Sequence, residues 1–202
     1  MGEYEHTMKS LVDADPLALA RFVLRQNERM RHLAEAEQSL KLVSQLNTEF
    51  QGTEARADGL LMLEYGPSRP FLAHIEFQSS HDTTMGERMV DYGHRVRQKY
   101  GPLPIAACVI YLREDEAVQE PPYYWPFFEG PPTLTFDYTC IKLWEVERTE
   151  LLGLNLPALL PLALLTKGGA NRRIVKEMFD YFAPKMTRNG SESHFPSLQY
   201  DS

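Results

Sequence analysis

FLAHIEFQSS, at residues 71–80, is the segment that gives the clearest indication of how this chain folds. Apolar side chains occupy its odd positions from Phe71 to Phe77, and Glu76 and Gln78 occupy even positions. A period of two is typical of a β-strand with one buried face. We therefore predict a strand in which Glu76 and Gln78 point the same way, side by side.

A second apolar run, from Arg56 to Leu63, lies just upstream and carries one carboxylate, Asp58. Residues 65–68 between the two runs contain Gly and Pro, which predict a turn. A connection this short favours an antiparallel hairpin. If the runs are neighbouring strands, the Asp58 carboxylate can converge on Glu76, and the pair can hold a divalent metal ion.

The remaining elements follow from helical spacing, capping residues and β-branched runs. Helices are predicted from Pro16 to about Ala34, from Asp82 to Tyr100, over Leu151–Leu165 with a break, and from Asn171 to Phe182. Strands are predicted over Ile105–Leu112 and Leu134–Glu147, with a Pro- and Glu-rich loop over Glu114–Pro132. Residues 35–46 fit either a helix or an extended segment. This order of elements predicts a mixed α/β domain.

The composition is that of an ordinary globular protein, with 202 residues, 43% hydrophobic and 24% charged. A net charge of −7 counts against a protein that coats nucleic acid through a basic surface. It does not exclude a nuclease, because bound metal ions neutralise carboxylates. Cys108 and Cys140 are too few for a zinc site or a disulfide framework. With no membrane segment predicted either, we expect a reduced, cytoplasmic protein.

Three segments in order, Asp58, EFQSS at residues 76–80 and RMVDY at residues 88–92, resemble the recombination-promoting nucleases, a family often labelled transposase-like. That family belongs to the PD-(D/E)XK superfamily. The resemblance, which covers about residues 6–112 well, implies a restriction-endonuclease-like α/β fold with a mixed sheet flanked by helices. We expect a single nuclease-like domain over residues 1–186 and a flexible C-terminal tail over residues 187–202.

The resemblance further implies a metal-dependent DNA endonuclease linked to recombination or mobile elements. Its pattern makes Asp58 and Glu76 the ligands of Mg²⁺, or of Mn²⁺ in its place, and Gln78 the third catalytic residue. Glu49 is a candidate for an additional acid. Mg²⁺ keeps several waters, so two carboxylates suffice beside a substrate phosphate. Gln78 stands where the superfamily more often has lysine, and its neutral hydrogen bond stabilises a charged transition state less.

The helix after the second strand supplies candidate DNA contacts: Arg88, Tyr92, Arg95 and Lys99. Arg88 and Tyr92 are one turn apart and share a face, where they can orient the carboxylates or touch phosphate. Packing and a surface salt bridge account for them equally well. A second basic group comprises Lys167, Arg172, Arg173 and Lys176. Either group can track a DNA backbone or simply face solvent.

Two other interpretations stay open from the sequence alone. One is a protein with the nuclease fold that has lost catalytic activity because Gln78 stands where lysine is usual, and that binds DNA or protein. The other is an interaction subunit that forms a homodimer through the aromatic residues at 123–128 or the apolar segment 151–165. For His74, which shares the face of Glu76, an exposed or hydrogen-bonded side chain is the favoured interpretation.

Overall fold

The computed structural model describes residues 10–35, 39–46, 48, 57–126, 128–153, 157–168 and 176. Its strands are β1 (Leu40–Gln45), β2 (Gly59–Tyr65), β3 (Pro70–Gln78), β4 (Ile105–Tyr111), β5 (Tyr123–Trp125), β6 (Leu134–Phe136) and β7 (Thr139–Lys142). Its helices are α1 (Pro16–Arg25), α2 (Arg31–Glu35), α3 (Met85–Tyr100), α4 (Arg148–Gly153) and α5 (Leu160–Ala163), with a 3₁₀ turn at Pro157–Leu159 before the last.

Five strands form the central sheet in the order β1-β2-β3-β4-β7. The first three are antiparallel neighbours, as the short turn between β2 and β3 predicts, whereas β3, β4 and β7 run parallel. Parallel neighbours need a crossover, and α3 lies between β3 and β4 in the chain to provide it. The mixed α/β fold with a mixed sheet and flanking helices is therefore confirmed.

Both faces of β3 are covered, so the prediction of a half-exposed β3 is wrong. Every residue from Phe71 to Phe77 is buried. The odd positions join the main core, which includes α1, while Leu72 on the other face packs in a cluster with Tyr92 and Val96 of α3. The polar even positions of β3 therefore lie beneath a helix that the strand pattern alone does not reveal.

The N-terminal helix begins where the sequence predicts but ends earlier. Asp15 caps α1 by accepting a hydrogen bond from the Ala18 amide at 2.9 Å. The helix stops at Arg25 rather than near Ala34, because the chain turns at residues 26–30 and starts the separate short helix α2. The ambiguous segment that follows contributes the strand β1.

The region from residue 114 to 147 also differs from the prediction. The predicted loop contains strand β5, and the predicted strand Leu134–Glu147 is two short strands in different sheets. β6 pairs with β5 in a two-stranded hairpin, whereas β7 pairs with β4. An alternating pattern does not show that the partner strand changes partway along it. The broken helical segment near the C-terminal end is confirmed, and the predicted helix Asn171–Phe182 and the tail lie outside the described residues, apart from Lys176.

None of the described helices has the length and apolar character needed to cross a membrane. Cys108 is buried, Cys140 is half-buried, and both are free thiols. Burial raises the pKa of the Cys108 thiol well above its ordinary value and raises that of Cys140 to about 12. Both side chains therefore behave as neutral, apolar groups.

The β5–β6 hairpin packs so closely on α3 that Gly86 has no room for a side chain. A Cβ at Gly86 would lie 2.4 Å from Tyr123 Cδ2 and 3.0 Å from Tyr123 Cβ. Because Tyr123 Cβ cannot swing away without its backbone, we expect Gly86→Ala to lower the free energy of unfolding by about 1–3 kcal/mol. The matched control is Gly153→Ala in α4, where no described atom outside the backbone of that helix and the adjoining residues lies within 4 Å of the new Cβ. Urea unfolding of both variants measures the difference, and equal stability would contradict the packing.

Candidate functional site

The register of the β2–β3 hairpin places Asp58 beside Glu76. Gly59 pairs with Ile75, so Asp58, one residue before β2, stands opposite Glu76. The Asp58 amide donates a hydrogen bond to Glu76 Oε1 at 3.3 Å, and the Phe77 amide donates one to Asp58 Oδ2 at 2.8 Å. The two carboxylates predicted from the sequence are therefore brought together at one end of the hairpin.

Glu76 is surrounded by polar partners in an otherwise apolar interior. It is 1% exposed, and His74 is 0% exposed. In the described part of the chain these two are the only buried side chains among the Asp, Glu, Lys, Arg and His residues. Burial of ionisable groups costs free energy and recurs at functional sites, where the chemistry requires them.

His74 and Glu76 contact each other directly. His74 Nε2 lies 2.8 Å from Glu76 Oε1, and the edge of the imidazole meets the Tyr92 ring with 5.4 Å between centroids. His74 Nδ1 is buried and has no hydrogen-bond partner among the described residues. An ionised carboxylate only accepts hydrogen bonds, so His74 Nε2 is the donor to Glu76 Oε1. The favoured interpretation, an exposed histidine or one bonded to a neighbour with no part in the site, is therefore wrong: His74 is fully buried and its partner is the site residue Glu76.

Helix α3 brings a positive charge to the same carboxylate. Arg88 Nη2 lies 3.7 Å from Glu76 Oε2, an ion pair too long for a hydrogen bond. Arg88 Nη1 donates to Asp82 Oδ2 at 2.7 Å, and Nη2 donates to the Tyr92 hydroxyl at 3.3 Å. Burial alone would lower the pKa of Arg88, but the bonds to Tyr92 and Asp82 outweigh it and raise the pKa. The guanidinium is thus held, charged, over the site.

Asp82 orients Arg88, a role that the sequence alone did not suggest. Asp82 Oδ1 accepts hydrogen bonds from the Thr84 hydroxyl at 2.7 Å and the Thr84 amide at 2.8 Å. The Thr84 hydroxyl bond, followed by the bond to Arg88, lowers the pKa of Asp82 to about 2 despite partial burial. The sequence feature that could have indicated this role is that Asp82 lies just before the start of α3 and Arg88 lies just after it.

A pH dependence follows from the lowered pKa of Asp82. A depressed carboxyl pKa stabilises the folded state above the unfolded pKa, near 3.8, and this contribution is lost as pH falls through about 2. We expect the free energy of unfolding to decrease between pH 4 and pH 2, and the decrease to be smaller in Asp82→Asn. Urea titrations at several pH values measure it, and identical pH profiles for the two proteins would contradict the assignment.

Gln78 lies at the end of β3 and is half-buried. Its side chain has no hydrogen-bond partner among the described residues, whereas its backbone carbonyl accepts from the Leu112 amide at 2.8 Å. Gln78 is two residues beyond Glu76 on the same strand, so the two side chains leave the same face of the sheet. The amide is free to meet a ligand at this edge.

The other predicted DNA contacts pair with residues outside this cluster. Arg95 pairs with Asp91 at 2.7 Å on the surface of α3, and the Lys99 ammonium lies 5.3 Å from the centroid of the Tyr100 ring. Lys167 of the second basic group pairs with Glu147 at 2.8 Å. Arg172, Arg173 and the candidate acid Glu49 lie outside the described residues.

The donor set can be compared with what Mg²⁺ requires. No group of three or more His, Cys, Asp or Glu side chains in the described residues is arranged to hold a metal ion. Asp58 and Glu76 nevertheless offer hard carboxylate oxygens from adjacent positions, and within the described residues Glu76 Oε2 makes only the long contact to Arg88. Because Mg²⁺ is commonly bound by one or two carboxylates plus water and phosphate, the pair fits such an ion.

Neither a protein-family model nor a curated protein nor a solved structure matches this chain.

Proposed function

We propose that this protein is a Mg²⁺-dependent DNA endonuclease that hydrolyses phosphodiester bonds in the cytoplasm, with Mn²⁺ as an alternative ion. The observation that carries the proposal is the convergence of Asp58 and Glu76, the latter buried against His74 and Arg88. A buried acid beside a partly exposed acid at a sheet edge is a costly arrangement with no evident structural need. The family resemblance, which Asp58, Glu76, Gln78 and Arg88 carry in the expected order, supports the same function.

The residues have distinct proposed roles. Asp58 and Glu76 would hold the metal ion, which when bound lowers the pKa of water and polarises the phosphate as a Lewis acid. The His74 and Asp58 N–H groups fix Glu76 Oε1, so that Oε2 is the oxygen presented to the ion. Gln78 orients water or phosphate through a neutral hydrogen bond.

Arg88 supplies the charge that Gln78 lacks. In this proposal the guanidinium, pinned by Asp82 and Tyr92, stabilises negative charge developing on the phosphate. Arg95 and Lys99 contribute general attraction to the DNA backbone farther along α3. A homodimer would place two such sites on the two strands of a duplex.

The test is nicking of supercoiled plasmid by purified protein with Mg²⁺, Mn²⁺, Ca²⁺ or EDTA. We expect cleavage with Mg²⁺ or Mn²⁺ and none with EDTA. Asp58→Asn should lower the cleavage rate at least about 100-fold, because asparagine lacks the negative charge that binds the metal ion. Its side-chain oxygen can still accept the hydrogen bond from the Phe77 amide, so the local fold should be kept. Glu64→Gln, at the other end of the same hairpin, is the matched control and should cleave normally. No cleavage by folded wild-type protein would contradict the proposal.

One observation favours the second candidate, a catalytically inactive module that binds DNA or protein. Glu76 Oε1 already accepts from two donors and Oε2 faces Arg88, so its charge is partly satisfied without a metal ion. This candidate predicts no nicking under any metal condition. It also predicts that Mg²⁺ leaves the thermal unfolding temperature unchanged.

A further inference from the structure

The β5–β6 hairpin exposes large aromatic side chains that the fold does not use. Four large hydrophobic side chains are strongly exposed in the described part of the chain, and three belong to this hairpin and its loop. Tyr124 is 55% exposed, Trp125 is 56% exposed and Phe128 is 93% exposed. Exposed aromatic residues concentrated in one place commonly mark an interaction surface.

The hairpin is anchored, so its exposed residues are held in place. Tyr123 packs against Gly86, and Phe136 packs against Gly93, both on α3. The Tyr123 hydroxyl also donates to Glu87 Oε1 at 3.4 Å, and the Thr133 amide donates to the Trp125 carbonyl at 2.9 Å. Because successive side chains of a strand alternate, Trp125 leaves β5 on the face of Tyr123 and Tyr124 leaves it on the opposite face, yet the rings of Trp125 and Phe128 stay largely exposed. A prearranged surface loses little conformational entropy on binding.

The stretch of sequence that contains these aromatic residues, between Arg113 and Lys142, carries only negative charges. Residues 114–141 contain six carboxylates and no Lys, Arg or His. Asp115, Glu120 and Asp137 have partners within the fold, namely backbone amides, Lys142 and Arg29. Glu114, Glu116 and Glu129 are exposed to solvent, on both sides of the hairpin in sequence. The surface therefore combines apolar rings with unneutralised acids.

This combination selects among the possible partners. Phosphates of a nucleic acid would be repelled by the carboxylates, although bases can stack on aromatic rings. A cationic side chain gains twice, from the face of an aromatic ring and from a nearby carboxylate. We infer that the surface defined by Trp125 and Phe128, together with Glu116 and Glu129 that flank them in sequence, docks an Arg- or Lys-containing segment of another protein.

A selection from a random nonapeptide library on the full-length protein tests the inference. We expect the retained peptides to be enriched in Arg and Lys, and the strongest of them to bind in fluorescence anisotropy. Trp125→Ala with Phe128→Ala should weaken that binding at least about 10-fold, as loss of interface anchors does. The control is Val43→Ala, which truncates the one strongly exposed hydrophobic side chain of the four that lies outside this region, on β1. This variant should bind the peptides normally.

Charge is tested separately with Glu116→Gln and Glu129→Gln, which keep the aromatic residues. Their binding to the selected peptides should weaken and depend less on salt than that of the wild-type protein. Retained peptides without cations, or equal binding by the aromatic variants, would overturn the inference. So would a twelve-residue oligothymidine that binds this hairpin, or self-association abolished by Trp125→Ala. None of these results depends on nuclease activity.

Discussion

Glu76→Gln is expected to remove metal-stimulated cleavage of plasmid DNA, with a loss of at least about 100-fold in rate. The substitution keeps an oxygen that accepts hydrogen bonds from His74 and from the Asp58 amide. It removes the negative charge that a metal ion needs and places an amide where Oε2 faces Arg88. The loss therefore reports on charge and coordination rather than on collapse of the strand. Initial nicking rates over a range of Mg²⁺ concentrations measure it.

Two controls separate lost chemistry from lost structure. Glu87→Gln on the exposed surface of α3 removes the same charge from the same region and should leave the rate unchanged apart from a small effect of net charge. The circular dichroism of Glu76→Gln should match that of the wild-type protein. Cleavage at the wild-type rate by a folded Glu76→Gln protein would exclude Glu76 as a metal ligand.

Arg88→Met is expected to cause the largest loss of stability, about 2–4 kcal/mol in the free energy of unfolding. Methionine keeps much of the side-chain volume but leaves Glu76, which is 1% exposed, without a neighbouring positive charge. It also removes the ion-pair partner of Asp82, which keeps its hydrogen bonds from Thr84. A buried carboxylate that has lost its neighbouring positive charge is costly even where hydrogen bonds to it remain. Urea unfolding at neutral pH measures the change.

A double-mutant cycle tests the physical reason. In Glu76→Gln the carboxylate is gone, so adding Arg88→Met should cost distinctly less than it does in the wild-type protein. Arg95→Met, which breaks the surface pair with Asp91 on the same helix, should have a much smaller effect. Equal costs of Arg88→Met in the two backgrounds would show that Arg88 acts through packing and Asp82 alone.

Local patterns in the chain predict much of this structure correctly. The Gly- and Pro-containing turn at residues 65–68 predicts the β2–β3 hairpin, and the apolar β-branched run at Ile105–Leu112 predicts the central strand β4. Asp15 caps α1 as expected. These features depend on neighbours in sequence, so they can be read without knowing the fold. The pairing of Asp58 with Glu76 is the same kind of inference, because a short turn sets the register of a hairpin.

The wrong predictions have one common cause: the sequence of a segment does not identify the distant helix or strand that packs against it. The alternation in β3 shows two faces but not that α3 covers the second one. The pattern over residues 134–147 does not show that β6 pairs with β5 while β7 pairs with β4. Each of these depends on long-range packing, whose free energy is shared among residues far apart in the chain.

The same division applies to the candidate site. Strand periodicity places Glu76 and Gln78 side by side, a short turn predicts Asp58 opposite Glu76, and the family resemblance makes the three a catalytic group. Only the tertiary structure revealed that Glu76 is buried, that His74 bonds to it, and that Asp82 holds Arg88 over it. Burial and charge pairing arise when a helix packs on a sheet, and the sequence pattern of neither element shows that the two will pack together.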